Sequence, residues 1–511
     1  MFCKVMAGGI HGINSFLAHV EVDATQAMPG FDMVGLLGSE VREAKERVRV
    51  ALKNSGFQIP PRRITVNISP ADIRKEGSAY DLPIAIGILV SLEKLEEEVL
   101  QDTLFIGELG LNGEIKPVKG ILPIMIMAKE EGIKRCILPR DNAMEGAVIE
   151  GVKVVGVSTF LETVKYLMEK EEMADEMIAP TILDIFSLFQ EKKGKKAPDF
   201  ADIRGQEMVK RAAIIAAAGF HHMLITGPPG AGKTMIAKRI PSILPALSLK
   251  ESLEVSKIYS VSGLLKEGCP LITERPFLHP HHTISRQALA GGGRIPRPGS
   301  LSLSHRGILF LDELPEFGRD NIEVLRQPLE DKEVQIARNY GSITYPADIM
   351  LVAAMNPCPC GFYPNKDRCR CTETEIRKYR SKISGPIYDR IDICVEAKAV
   401  ELEELQKEGD GKSSKELKEQ VMKARKIQEE RYQGSTYFFN ADLETKDISK
   451  YCPLGREEER YMEQAFYALK LSARAYHRTL KVARTIADLE ESEEIKKPHL
   501  TEAICYRGFE T

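Results

Sequence analysis

An apolar run, MLIT at 223–226, passes directly into GPPGAGKT at 227–234 and then into a stretch of helical periodicity. No other segment restricts the fold so tightly, because a strand that turns through a glycine-rich loop into a helix calls for a parallel sheet with crossover helices. Gly227, Gly230 and Gly232 let backbone N–H groups converge on phosphate oxygens. Pro228, Pro229 and Ala231 complete the loop, Lys233 brings a charge to the β and γ phosphates, and Thr234 offers a hydroxyl to Mg2+. The segment reads as a site for Mg-ATP.

Downstream, GILFLDELPEF at 307–317 is an apolar strand ending in two carboxylates. Paired acids at a strand end cost desolvation unless they meet a cation or solvent. After a phosphate loop, Asp312 fits as the Mg2+ partner and Glu313 as the base that polarises the attacking water. A further strand, DIMLVAAMNP at 348–357, ends in Asn356, whose amide can orient that water or contact the γ phosphate. Two arginines follow, Arg390 in IYDRIDICVEA and Arg474 in LSARAYHRTLKVAR. Phosphoryl transfer spreads negative charge over the γ oxygens, and a guanidinium there lowers the barrier. Arg390 is expected as the finger given to a neighbouring subunit and Arg474 as a second sensor reading the nucleotide from a helical lid. A structural ion pair is the alternative for each.

The chain has 511 residues, 43% hydrophobic and 28% charged, enough for about three domains. No apolar run approaches the roughly 18 to 20 residues that cross a bilayer, so no membrane partner is expected. The opening MFCKVMAGGIHG carries no basic-then-apolar export signal. A cytoplasmic location is therefore predicted, with the ten cysteines as thiols or metal ligands. A net charge of −3 gives no global attraction to nucleic acid, so any DNA contact must come from local basic patches. Residues 1–170 alternate β-branched runs with helical patterns and read as an independent α/β domain. Residues 171–198, which include the charged run EKKGKKAP, read as a linker. Strands and helices alternate across the core at 199–400, and helical periodicity dominates 401–511 after the polar stretch at 407–415.

Taken with FDMVGLLGSEVREAKERVRVALKNSGF, FLHPHHTISRQALAGGG, VAAMNPCPCGF and SGPIYDRIDICV, these motifs make the chain resemble, over nearly its full length, the magnesium-chelatase-like AAA+ proteins of the ComM (YifB) family. The resemblance implies an α/β fold class with three parts: an N-terminal Lon-protease-like (ribosomal S5-like) α/β domain, an AAA+ P-loop core and a C-terminal helical lid. It implies a homo-hexameric ATPase ring with Arg390 acting in trans. It also implies a DNA partner, single-stranded or branched, moved by a helicase-like motor in branch migration, which in transformable bacteria extends integration of incoming DNA. The alternative is a chelatase-type ATPase that remodels a protein partner. Aligning KEGSAYD with the Lon serine motif puts Ala79 at the nucleophile position, Asp81 where glycine is expected, and Leu122 near the lysine, so the domain is expected to be proteolytically inactive.

The segment EVQIARNYGSITYPA reads as a hairpin turning at 339–341. In the resembled branch a hairpin here points into the ring channel, which makes Arg338 and Tyr340 candidate DNA contacts. Arg294 and Arg297, on a Gly/Pro-rich loop, are a second candidate pair; ordinary solvated loops are the alternative. CPCGFYPNKDRCRC supplies Cys358, Cys360, Cys369 and Cys371, the donor count for tetrahedral Zn2+, with free thiols as the alternative. Residues 366–382 hold seven basic and three acidic side chains, a possible phosphate patch. Lys470, Arg474, Arg478 and Lys481 are spaced to share one helix face. The histidine pairs 221/222 and 281/282 read as structural.

Overall fold

The computed structural model describes residues 1–189, 198–266, 268–293, 296–338, 341–399 and 411–507. It divides into two compact units, one of Met1–Glu191, Ser248–Thr273 and Ala337–Tyr345, the other of Lys192–Leu247, Glu274–Ile336 and Pro346–Thr511.

The first unit is built on a seven-stranded sheet. Its strands are β1 (Phe2–His11), β2 (Asn14–Thr25), β3 (Gly30–Val34), β4 (Arg63–Ser69), β5 (Thr103–Phe105), β6 (Arg135–Pro139) and β7 (Lys153–Val157), in spatial order β3-β4-β2-β1-β5-β6-β7. Alternation of buried residues sets one face inward: Cys3, Val5 and Ala7 on β1, Val20, Val22 and Ala24 on β2, and Ile64, Val66 and Ile68 on β4. Helix α1 (Ser39–Asn54) buries Val41, Ala44, Val48, Ala51 and Leu52 in the same core. Helix α2 (Asp81–Ser91) is apolar on every side and buried along its whole length. Helices α3 (Ile121–Glu130) and α4 (Phe160–Met168) complete the layers.

The two positions aligned with a protease dyad, Ala79 and Leu122, pack in one apolar cluster. Ser78 is engaged by the Glu108 carboxylate. Asp81, fully buried at the start of α2, accepts from Arg47 Nε at 2.7 Å and from the Leu109 N–H at 3.2 Å. Burial pushes the Asp81 carboxyl up, to about 6, against the pull of Arg47.

Two stretches depart from the expected organisation. Residues 171–189 are not an open linker but carry the helices Glu171–Met177 and Ile185–Leu188. Ala174, Ile178 and Ile185 are buried there, and Asp175 pairs with Lys153 at 2.6 Å, which fixes the segment; residues 190–197 lie outside the described residues. Residues Ser248–Thr273, expected inside the core, count with the first unit. Leu253 and Leu271 join the cluster around Leu122, and the Ser260 hydroxyl donates to the buried Glu145.

The second unit contains a five-stranded, all-parallel sheet. Its strands are β8 (Met223–Thr226), β9 (Phe277–Leu278), β10 (Ile308–Leu311), β13 (Met350–Met355) and β14 (Ile393–Glu396); β11 (Glu333–Arg338) and β12 (Gly341–Pro346), which lie between β10 and β13 in the sequence, form a separate two-stranded sheet, of which Ala337–Tyr345, expected inside the core, count with the first unit. The order is β9-β10-β13-β8-β14. Strands β8, β10 and β13 are buried at every residue, as expected for a parallel sheet covered on both faces. Around it lie α5 (Glu207–Gly219), α6 (Lys233–Ala237), α7 (Glu373–Arg380), α8 (Ser414–Arg431), α9 (Arg456–Ala468), α10 (Ala473–Leu489) and α11 (Lys497–Cys505). Lys470 does not belong to α10, where the spacing placed it. Ser472 accepts from the Ala475 N–H and starts that helix, leaving Lys470 in the preceding turn with φ +49°.

Arg47→Ala would leave Asp81 buried without its guanidinium and is expected to destabilise the first unit by about 3–5 kcal/mol. Arg63→Ala, which removes only an exposed pair with Asp32, should cost about 1 kcal/mol or less. Urea unfolding of the two variants at mildly alkaline pH checks the contrast, and equal midpoints would refute it.

Candidate nucleotide site

Strand β13 lies between β8 and β10, with Thr226 opposite Met355 and Leu311 opposite Ala353. The residues that follow these three adjacent strands, Gly227, Asp312 and Asn356, therefore emerge side by side at the carboxyl edge, where parallel α/β sheets bind ligands. The loop needs its glycines. A Cβ at Gly227 would fall 2.4 Å from the Ala397 carbonyl oxygen, and Gly232, at φ +81°, opens α6 in a left-handed conformation.

The side chains of the edge are joined to one another. Thr234 Oγ1 donates to Asp312 Oδ2 at 2.6 Å, placing a hydroxyl and a carboxylate together, the hard oxygen donors that suit Mg2+. Lys233 Nζ donates to the carbonyls of Gly227 and Pro228 at 2.7 and 3.0 Å and to Asn356 Oδ1 at 3.0 Å. Burial lowers the Lys233 pKa, with Asp312 and Glu313 opposing. Pro229, Gly230 and Ala231 form the arch between them, and Gln206, which sequence reasoning missed, ties it down by donating to the Ala231 carbonyl at 3.2 Å. Glu313 follows with φ +52°, and its N–H bonds Asp312 Oδ1 at 3.0 Å. The arrangement can hold a metal-bound triphosphate and present a carboxylate to a water beside it.

The histidines set aside as structural divide into two kinds. His221 and His222 are framework: His221 Nε2 meets Thr485 Oγ1 at 2.8 Å, and His222 accepts the Leu351 N–H while burial lowers its pKa to about 4. His282 instead brings Nδ1 to 3.9 Å from Glu313 Oε2, with its ring 4.1 Å from that of His281. Edge strand β9 delivers this pair, and its position beside β10 is not visible in the sequence.

Arg390 and Arg474 meet on one carboxylate. Arg390 Nη2 pairs with Glu330 Oε2, and Arg474 Nη2 lies 3.0 Å from Glu330 Oε1. Together with Thr445, His477, Arg478 and Lys481 they line a cavity that includes no residue of the phosphate loop. Arg390 is buried and donates to the Pro386 carbonyl at 2.7 Å, while its Nε has no hydrogen-bond partner among the described residues. Burial, then the neighbouring Arg474, Arg326 and Arg478, holds its pKa down.

The sulfur atoms of Cys358, Cys360, Cys369 and Cys371 lie within 4.8 Å of one another. Cys358 is separated from Cys360 by 3.4 Å and from Cys369 by 3.8 Å, far beyond the roughly 2.05 Å of a disulfide. Backbone N–H groups of Phe362 and Arg370 lower the Cys360 thiol to about 6. Of the candidate DNA residues, Arg297 is exposed and paired with Gly292 in a short antiparallel bridge. Arg294 and Tyr340 lie outside the described residues, as does the side chain of Arg338.

Comparison with known proteins gives three successive matches: "Magnesium chelatase, subunit ChlI" over residues 199–405, "Subunit ChlI of Mg-chelatase" over 20–142, and "Magnesium chelatase, subunit ChlI C-terminal" over 411–507. Competence protein ComM of Haemophilus influenzae is 42% identical over 503 residues, which cover 98% of this chain and 96% of that protein. YifB of Salmonella typhimurium is 40% identical over 508 residues, 98% of this chain and 96% of that one. Lon protease 2 of Bacillus subtilis is 26% identical over 179 residues, 31% of this chain and 32% of the protease. With its phosphate loop, acidic strand and parallel sheet so arranged, the chain belongs to the ComM and YifB family of magnesium-chelatase-like AAA+ ATPases.

Proposed function

We propose that this ATPase works as a homo-hexameric ring that couples hydrolysis of Mg-ATP to movement along DNA, driving branch migration of recombination junctions. Residues 227–233 would hold the phosphates, Thr234 and Asp312 the Mg2+, Glu313 the attacking water and Asn356 its orientation. The observation that carries the ring is the convergence of Arg390 and Arg474 on Glu330, in a cavity apart from the phosphate loop. Arg474, expected to read the nucleotide of its own chain, is better read together with Arg390, both completing the phosphate site of a neighbouring copy.

A DNA substrate is supported by the name of the Haemophilus relative, which ties that protein to competence. The basic stretch 366–382 adds to this, since it exposes Arg377 on α7. A cytoplasmic setting and a Zn2+ ion on the four cysteines belong to the same reading. The family descriptions favour the alternative, a chelatase-type ATPase acting on a protein partner.

The rate of ATP hydrolysis with and without single-stranded or forked DNA separates the two. DNA is expected to stimulate it several-fold. With about four phosphates neutralised by the basic stretch, affinity for single strands should fall on the order of 50-fold between 50 and 200 mM salt. Absence of both binding and stimulation at low salt would leave only the chelatase-type reading. Glu313→Gln is expected to bind ATP normally while kcat falls by about 10²-fold or more; undiminished turnover would place the base elsewhere. Arg390→Ala should lose about 10³-fold in kcat alone, and mixing it with Glu313→Gln subunits should restore activity, because an intact site then forms wherever the two variants meet. Two inactive proteins that stay inactive when mixed would refute action in trans.

A further inference from the structure

The chain leaves Asn356 and enters the cysteine turn within two residues. Cys358 is fully buried at the end of β13, whereas Cys360, Cys369 and Cys371 sit toward solvent. The Gly361 N–H donates to the Cys358 carbonyl at 3.0 Å and closes a tight turn. That turn rests on the phosphate loop: a Cβ at Gly361 would lie 2.5 Å from Pro229 Cδ. On the return leg, Thr372 caps α7 through a reciprocal pair with Glu375, and Arg380 on that helix donates from Nε to the Pro357 carbonyl at 3.3 Å. Both ends of the cysteine segment are thus tied to the residue beside Asn356.

Beyond local turns at Asn365 and the Arg368–Phe362 and Arg380–Tyr363 contacts, apolar packing contributes little to this segment. From 359 to 371 the only buried residue is Gly361, and Tyr363 is exposed. Without apolar burial, a turn of this length lacks the energy to offset the entropy of ordering it. The sulfur geometry supplies a substitute. Four thiolates around Zn2+ with bonds of about 2.3 Å give a tetrahedral edge of about 3.8 Å, and the Cys358–Cys369 and Cys360–Cys369 separations are 3.8 and 3.6 Å. The Tyr363 N–H, 3.4 Å from Cys358 Sγ, adds a donor of the kind that stabilises a ligating thiolate.

We propose that Cys358, Cys360, Cys369 and Cys371 bind one Zn2+ that acts as a strut of the nucleotide site, holding Asn356 and the Pro229 arch in place, so that loss of the metal disables ATP binding and hydrolysis. The inference rests on the assignment of the phosphate loop and Asn356 to ATP and is independent of the DNA reading. Zinc takes no part in the chemistry; it orders a loop that the apolar core does not reach.

The test uses the full chain purified without chelators. Metal analysis is expected to find about one zinc per chain. A mercurial that titrates the thiols should release it, with a loss of at least about tenfold in affinity for a fluorescent ATP analogue, unchanged far-ultraviolet circular dichroism, and recovery when excess thiol and zinc are returned. Cys371→Ser, altering the ligand farthest along the segment from Asn356, should lower zinc content and ATP affinity together. Lys233→Ala should lose ATP but keep its full complement of zinc. The proposal is overturned by protein in which all ten cysteines titrate as free thiols and no metal is found, by zinc-free protein that binds ATP as the loaded form does, or by zinc that disappears in Lys233→Ala.

Discussion

The hydroxyl of Thr234 and the carboxylate of Asp312 stand 2.6 Å apart, although one opens a helix after β8 and the other ends β10. Those strands are not neighbours; β13 separates them. The contact exists because the three parallel strands hold one register, with Thr226 opposite Met355 and Leu311 opposite Ala353, and it fails if any one of them slips, since each residue of slip also turns the side chains to the opposite face. Burial on both faces of the sheet suppresses such slips: every residue of β8, β10 and β13 is packed in apolar surroundings. The core thus fixes positions at the edge that the edge, made of glycines and charges, has no means of fixing for itself. Lys233 extends the same logic by bridging from its own loop to Asn356 on the middle strand.

The second charged centre is built differently. Arg390 is held from behind by burial and the Pro386 carbonyl, while Glu330 and Arg474 are about half exposed, at 46% and 57% of their side chains. An exposed pair such as Arg474–Glu330 is worth little, about 0–1 kcal/mol, so an incoming phosphate displaces it at small cost. Four cations, Arg390, Arg474, Arg478 and Lys481, line the cavity against one lining carboxylate, and burial lowers Lys481 to about 8. Asp392 answers Arg478 at 2.5 Å, and the positive charge that remains in excess meets the electrostatic condition that the proposed ring would require, a polyanion presented by a neighbouring copy.

What the sequence made legible were the features written in contiguous residues. The strand, loop and helix around Lys233, the acid pair after Ile308–Leu311 and the asparagine after Met350–Met355 each carry their own apolar run and their own punctuation. Pairings across the chain were not. Nothing local says that β9 runs beside β10, so His282 gave no sign of approaching Glu313. Glu330, followed directly by Asp331 in a polar stretch, showed no link to arginines at 390 and 474. Helical spacing placed Lys470 on α10 because periodicity does not register that Ser472 is the cap. The run 171–189 looked like a linker because its apolar residues follow no single period, and the burial of Ala174 and Ile185 depends on β7 and its surroundings.

In the first unit the positions aligned with the Lon serine and lysine are apolar. Ala79 and Leu122 belong to one apolar cluster, while the carboxylate of Glu145, raised in pKa by burial, accepts the Leu122 N–H at 3.0 Å. Asp81, in place of a glycine, buries a carboxylate that only Arg47 and one backbone N–H neutralise. A glycine there would leave no charge to compensate; an aspartate obliges α1 to supply an arginine at one point of its length. Asp81 thereby clamps α2 to α1 through Arg47. Buried ion pairs of this kind contribute less to net stability than to fixing one arrangement over its alternatives. The unit resembles a protease domain in sequence while its aligned positions serve packing, and the phosphate-loop motif stands at the carboxyl edge of the second unit's sheet.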